Sequence, residues 1–165
     1  MILVLLGTQN NSFTRLLEAV QENIDKKIIN DEVVVQAGFT KFESKDMKIF
    51  KLIDKKKLSK LQDKADLIIT HGGVGSIISS LEKGKKVIVV PRLKKYNEHV
   101  NNHQVDFAEQ IEKRMGTIIP IYNIEDLKDT IINYDSIVAS MNSSMGSNNK
   151  QFNKKLGKIV DGLFK

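Results

Sequence analysis

Apolar residues follow two patterns along this chain. The first is a set of short unbroken runs: Ile2-Leu3-Val4-Leu5-Leu6, Val33-Val34-Val35, Leu67-Ile68-Ile69 and Val87-Ile88-Val89-Val90. Such runs are too short for a buried helix and do not alternate with polar residues, so they predict strands covered on both faces, as in a parallel sheet. Residues 47–53 and 117–121 are read as two further strands. The second pattern has helical spacing. Phe13, Leu16, Leu17, Val20 and Ile24 predict a helix with Ser12 as its N-cap. Residues 54–64, lysine-rich around Leu58 and Leu61, predict a short exposed helix. A helix over 74–83 is closed by Gly84, another runs from His99 to Lys113 with Gly116 beyond it, and a short one spans Glu125 to Ile132.

Strands alternating with helices predict a Rossmann-like, doubly wound parallel α/β sheet over residues 1–140. Residues 141–149, rich in Ser and Asn, read as a polar connection. Phe152, Leu156, Ile159, Val160 and Leu163 form the apolar stripe of a C-terminal amphipathic helix. In a doubly wound sheet, ligands bind beyond the carboxyl ends of the strands. The chemistry is therefore expected just after Leu6, Thr70 and Val90.

The fourth strand is followed by His71-Gly72-Gly73-Val74-Gly75-Ser76 and then a helix. Glycines let the backbone turn sharply and approach a ligand, and the helix start offers free N–H groups and a positive dipole end. The pattern is that of an anion site suited to a diphosphate, with His71 and Ser76 as further donors. The alternative is a plain strand-to-helix turn with a capping serine. The spacing is neither the dinucleotide fingerprint nor a Walker A loop. Gly7-Thr8-Gln9, after the first strand, is either an ordinary loop or a second backbone contact to the same ligand. After the fifth strand come Arg92, Glu98, His99, His103 and Gln104. On a helix beginning near His99, Glu98, Asn102 and His103 would share one side and converge on a sugar or phosphate. The alternative is a solvated helix start. Two histidines and one carboxylate fall short of a metal ligand set, and no metal site is expected.

Composition narrows the classes. The 165 residues fit one domain, too short for a self-contained two-domain enzyme, and the absence of cysteine removes disulfides, thiol catalysis and Cys-ligated metals. The formal charge is +6, yet Arg15, Arg92 and Arg114 are the only arginines. A lysine excess argues against base-specific nucleic-acid readout and fits an ordinary solvated surface, anionic small molecules or lipid headgroups. The longest apolar run is far short of the roughly 20 residues of a membrane span, and no signal peptide is visible, so a cytoplasmic location is expected.

The ordered run from His71-Gly-Gly-Val-Gly-Ser76, through Gly84-Lys-Lys-Val-Ile-Val-Val-Pro-Arg92, to Glu98-His-Val-Asn-Asn-His-Gln104 resembles the C-terminal, donor-binding half of family 28 glycosyltransferases. It is most similar to the small free-standing subunits of split members, among them the cytosolic subunit of the eukaryotic dolichol-linked GlcNAc transferase and bacterial capsule or exopolysaccharide subunits. Gly7-Thr8-Gln9 and Phe13 match as well. The resemblance implies one GT-B half-domain that binds a UDP-sugar as donor substrate, with no cofactor. A membrane-anchored partner subunit would bind the acceptor, a saccharide on undecaprenyl diphosphate, and recruit this chain to the inner face of the membrane. The transfer would be inverting and metal-independent. By position, residues 71–76 would hold the diphosphate, Gly7 to Gln9 would close on the phosphates or the acceptor, Arg92 would help stabilise the diphosphate, and Gln104, with His103 and Glu98, would face the sugar. His71 would act catalytically, and the general base would be Glu98, His99 or His103, or lie on the partner. Many relatives carry a ribose-binding glutamate where this chain has Ser79. The sugar is left open among galactose, glucuronate and GlcNAc. Two other readings are a non-catalytic nucleotide-sugar-binding regulatory subunit and an unrelated dinucleotide-binding protein.

Overall fold

The computed structural model describes residues 1–141 and positions 154, 157, 158, 161 and 162. The predicted polar connection beyond Met141 and the stripe from Phe152 to Leu163 lie outside the described residues. Among those described, six strands form one all-parallel sheet: β1 (Ile2–Leu5), β2 (Val33–Gln36), β3 (Met47–Phe50), β4 (Leu67–His71), β5 (Val87–Val90) and β6 (Ile118–Pro120). Their order is β3-β2-β1-β4-β5-β6. From β1 the chain winds outward to β2 and β3, then returns to β4 on the other side. The crevice between the carboxyl ends of β1 and β4 is thus the topological switch point, where such sheets bind ligands.

Every residue of β1, β2, β4 and β5 is buried, because helices cover both faces. On one face α1 (Thr14–Asp25), α5 (Leu127–Ile132) and α6 (Tyr134–Ser140) pack Leu16, Leu17, Val20, Leu127 and Ile137 onto Val4, Val35 and Ile69. On the other, α2 (Lys55–Lys64), α3 (Val74–Glu82) and α4 (His103–Met115) pack Leu61, Ile77, Leu81, Phe107 and Ile111 onto Leu3, Leu5 and Val89. Gly84 and Gly116 close α3 and α4 with positive φ, as expected.

Several local expectations are corrected. Phe13, not Ser12, occupies the cap position of α1, and the Ser12 hydroxyl pairs with that of Thr14 at 2.9 Å. The strand predicted over 47–53 stops at Phe50, because Asp54 caps α2 through the Lys57 N–H. The helix expected from His99 begins at His103. Asn97 takes a left-handed turn (φ 57°) after a short 3-10 turn over Lys94–Tyr96, which leaves 98–102 irregular. Glu98, Asn102 and His103 therefore do not share a helix face. Helix α6 was not expected.

Candidate functional site

The loop after β4 begins α3 at Val74, with Gly73 in the cap position and no side chain capping it. Ser76 does not cap the helix, so the first-turn N–H groups stay open. They border a cavity of about 400 Å³ lined by Gly7, Thr8, Gln9, His71, Gly73, Gly75, Ser76 and Ser79, and also by Leu52, Ile53 and Leu58. Two strand ends thus meet there, as the topology requires. Gly7 has φ +76°, and a Cβ on Gly7 or Gly73 would collide with the His71 ring. The two glycines are thus needed to seat an imidazole between the β1 and β4 loops. Gln36, not anticipated from sequence, clamps Gly7 from β2: its Oε1 accepts the Gly7 N–H (3.1 Å) and its Nε2 donates to the Gly7 carbonyl (3.0 Å). A lone polar residue closing the apolar run Val33-Val34-Val35 was the available signal.

His71 is held in one tautomer. The Gln104 Oε1 accepts two backbone N–H groups, from Gly72 (2.9 Å) and Arg92 (3.0 Å), which fixes the direction of its amide. Its Nε2 must then donate to His71 Nδ1, 3.1 Å away. His71 carries its proton on Nε2, directed at the Ser76 hydroxyl 3.2 Å away on the cavity side. Burial, then the nearby Arg92 charge, pushes the His71 pKa down to about 3, despite the opposing Gln104 hydrogen bond. The imidazole is neutral and donates; with Nδ1 occupied it is no base.

Arg92 and Glu98 lie elsewhere than the sequence reading placed them. Arg92 is wholly buried, and its guanidinium donates to the carbonyls of Leu6 (2.7 Å), Asn11 (2.7 Å) and Glu98 (3.1 Å). Burial lowers its pKa to about 10, so it remains a cation, 4.9 Å from the Phe13 ring centre. It ties the β1 and β5 loops together rather than facing the cavity. Glu98 is buried in a two-pronged pair with Arg15 (2.8 and 3.0 Å) and accepts the Leu93 N–H at 2.9 Å. Neither carboxylate oxygen is left for a sugar or for proton transfer. Gln104 touches the cavity, but its amide is committed to the loops.

His99 and His103 line a second, smaller cavity of about 210 Å³ with Gly72, Gly73, Val74 and Phe107. The glycine loop is the wall between the two spaces. Burial, Arg92 and His103 lower the His99 pKa, and its Nδ1 accepts the Asn101 N–H at 3.3 Å. Ser79, at the position of the expected ribose-binding glutamate, lines the larger cavity and accepts a 2.9 Å bond from Gln62. Among the described residues, no three His, Asp or Glu side chains converge as a metal site, and no helix is long and apolar enough to cross a membrane.

A neutral donor set at a helix start, at the switch point of a parallel sheet, is the arrangement the sequence resemblance anticipates. The model of the glycosyltransferase family 28 C-terminal domain matches residues 1–159. The chain belongs to this family. Among curated proteins, it is 31% identical over 99 residues to a UDP-N-acetylglucosamine transferase subunit, ALG13, of Candida albicans, covering 60% of this chain and 32% of that protein. The human ALG13 subunit is 49% identical over 51 residues, 30% of this chain and 4% of that protein. The match thus spans about a third or less of these relatives' length. The solved glycosyltransferase SnogD of Streptomyces nogalater superposes on 98% of this chain and 43% of its own, with a TM-score of 0.50 and 17% identity. A glycosyltransferase of kitacinnamycin gives 0.51 at 18% identity, over 98% and 38% of the two chains. These structures support the fold, a Rossmann-like half of the GT-B type. The family makes the chain a glycosyltransferase domain.

Proposed function

We propose that this family 28 domain is the donor-binding part of a two-part, inverting, metal-independent transferase. It would move galactose, glucuronate or GlcNAc from a UDP-sugar to a lipid-linked saccharide, such as one on undecaprenyl diphosphate, in capsule or exopolysaccharide synthesis. The observation that carries the reading is the convergence of the open start of α3, the Nε2–H of His71 and the Ser76 hydroxyl on one cavity.

In the proposed reaction an acceptor hydroxyl oxygen attacks the anomeric carbon. The bond to the diphosphate breaks, its electron pair passes to the β-phosphate oxygen, and the hydroxyl proton goes to a base. Charge develops on the leaving diphosphate, where the helix N–H groups, His71 and Ser76 can meet it with fixed donors. The base is the missing piece. The cavity lining includes no carboxylate, Glu98 is consumed by Arg15, and His71 is locked as a donor. We therefore assign the base to the partner subunit or to His99 or His103 across the glycine wall. The relatives' designation as subunits agrees with a partner; we place it at the membrane, with this chain on the cytoplasmic side.

Calorimetric titration of the chain with UDP, UDP-sugars and NAD(P) tests the reading. UDP and at least one UDP-sugar bind, and addition of the partner subunit gives transfer. Binding of NAD(P) without UDP would contradict it.

A further inference from the structure

The positive charge of the chain is concentrated at one corner. Between Lys41 and Lys60 stand eight lysines and three acidic residues, a net +5 in a chain whose formal charge is +6. This segment holds the edge strand β3 and the first half of α2. Lys41, Lys51, Lys55, Lys56 and Lys57 are exposed, and none forms an ion pair among the described residues; Lys48, by contrast, is paired with Glu32. Of the acids, Asp54 is used as the α2 cap and Asp46 binds the Gln21 amide, while Glu43 stands on the same loop as Lys41.

Two large apolar side chains stand among these lysines. Phe39 is 47% exposed and Leu52 58%. Their loops run side by side: the Gly38 N–H donates to the Lys51 carbonyl at 2.8 Å, and the Lys51 ammonium lies 5.0 Å from the Phe39 ring centre. A groove of about 420 Å³ is lined by Phe39, Phe42 and Ile49 together with Lys41, Glu43 and Lys51.

We propose that this corner docks on an anionic phospholipid bilayer. Exposed lysines are drawn to acidic headgroups, each worth about five-fold in partitioning, and a protruding Phe and Leu can enter the headgroup boundary. Nucleic acid fits less well: the segment has no arginine for forked phosphate or base contacts. Leu52 also lines the cavity at the start of α3, so docking here would bring that cavity to the lipid surface. The inference concerns surface charge and apolar exposure, and stands whatever the cavity binds.

Co-sedimentation of the full chain with vesicles of phosphatidylcholine alone, and of phosphatidylcholine with phosphatidylglycerol, tests it. The chain partitions to the anionic vesicles and not to the neutral ones, and added salt weakens the partition. Changing Lys51, Lys55 and Lys56 to Gln lowers it by about five-fold for each lysine. Changing Phe39 and Leu52 to Ser lowers it further at unchanged charge, whereas Lys113→Gln with Lys128→Gln, on other helices, has a far smaller effect. No binding to anionic vesicles, undiminished binding by the triple lysine variant, or preferred binding to an RNA oligonucleotide in competition would overturn the proposal.

Discussion

Gln104 donates to His71 Nδ1 only because its own amide oxygen is taken by the N–H groups of Gly72 and Arg92. One side chain thereby joins the β4 and β5 loops and sets which nitrogen of His71 faces the cavity. Gln104→Glu keeps the two acceptor contacts but cannot donate to Nδ1. The proton then moves to Nδ1 and an acceptor lone pair faces the cavity. Nitrogen-15 spectra of the imidazole report the exchanged tautomer, and UDP affinity falls about ten-fold or more, the worth of one hydrogen bond to a charged group. An unchanged tautomer would show that Gln104 does not set it.

Gly75 separates the fold from the site. A Cβ there meets nothing within 4 Å, yet the residue lines the cavity at the start of α3. Gly75→Ala stabilises α3 by up to about 0.5–1 kcal/mol and weakens UDP binding by filling ligand space. Gly73→Ala, which collides with His71, loses both stability and binding. Thermal melts and titrations of the two variants check the contrast.

Acid weakens the fold through His71. Its pKa is about 3 when folded, well below the ordinary 6.5, so on acidification below about 6.5 the unfolded chain takes up a proton that the folded chain refuses. Stability is full above that pH and declines as pH falls towards about 3. At pH 5 the loss is about 2 kcal/mol, and His99, also lowered, adds in the same direction. Denaturant titrations between pH 5 and 7.5 show this slope, and His71→Asn flattens it.

The Arg15–Glu98 pair holds the loop between β5 and α4. Glu98 is 3% exposed and Arg15 17%. Glu98→Ala strands the cation and costs about 3–5 kcal/mol. Adding Arg15→Met recovers much of that, leaving the lost Leu93 contact. A melt series on the two single variants and the double variant measures the coupling; simple additivity would mean the pair is not coupled.

The strands and the glycine loop could be read because a two-sided parallel sheet writes its strands as unbroken apolar runs. The loop motif likewise lies within six consecutive residues, His71 to Ser76. The roles of Arg92, Glu98 and Gln36 could not be read, since each depends on partners far along the chain: Leu6 and Asn11, Arg15, and Gly7. The late start of α4 has the same origin, the turn at Asn97 and the buried carboxylate of Glu98 drawing the chain out of a helix that spacing alone allowed. Helix α6 is not among the predicted elements although it left a signal: Tyr134, Ile137, Val138 and Met141 recur at helical spacing and pack against the core.

The central claim is that the cavity at the start of α3 takes the diphosphate of a sugar donor through neutral donors. Amide and imidazole nitrogen-15 spectra during a UDP titration test it most directly. The account predicts shifts concentrated at Gly72 to Ser76 and at His71 Nε2, with the His71 imidazole neutral at pH 6 and pH 8 alike. Absence of UDP binding, or shifts confined to the loop from Leu93 to Asn102, would contradict it.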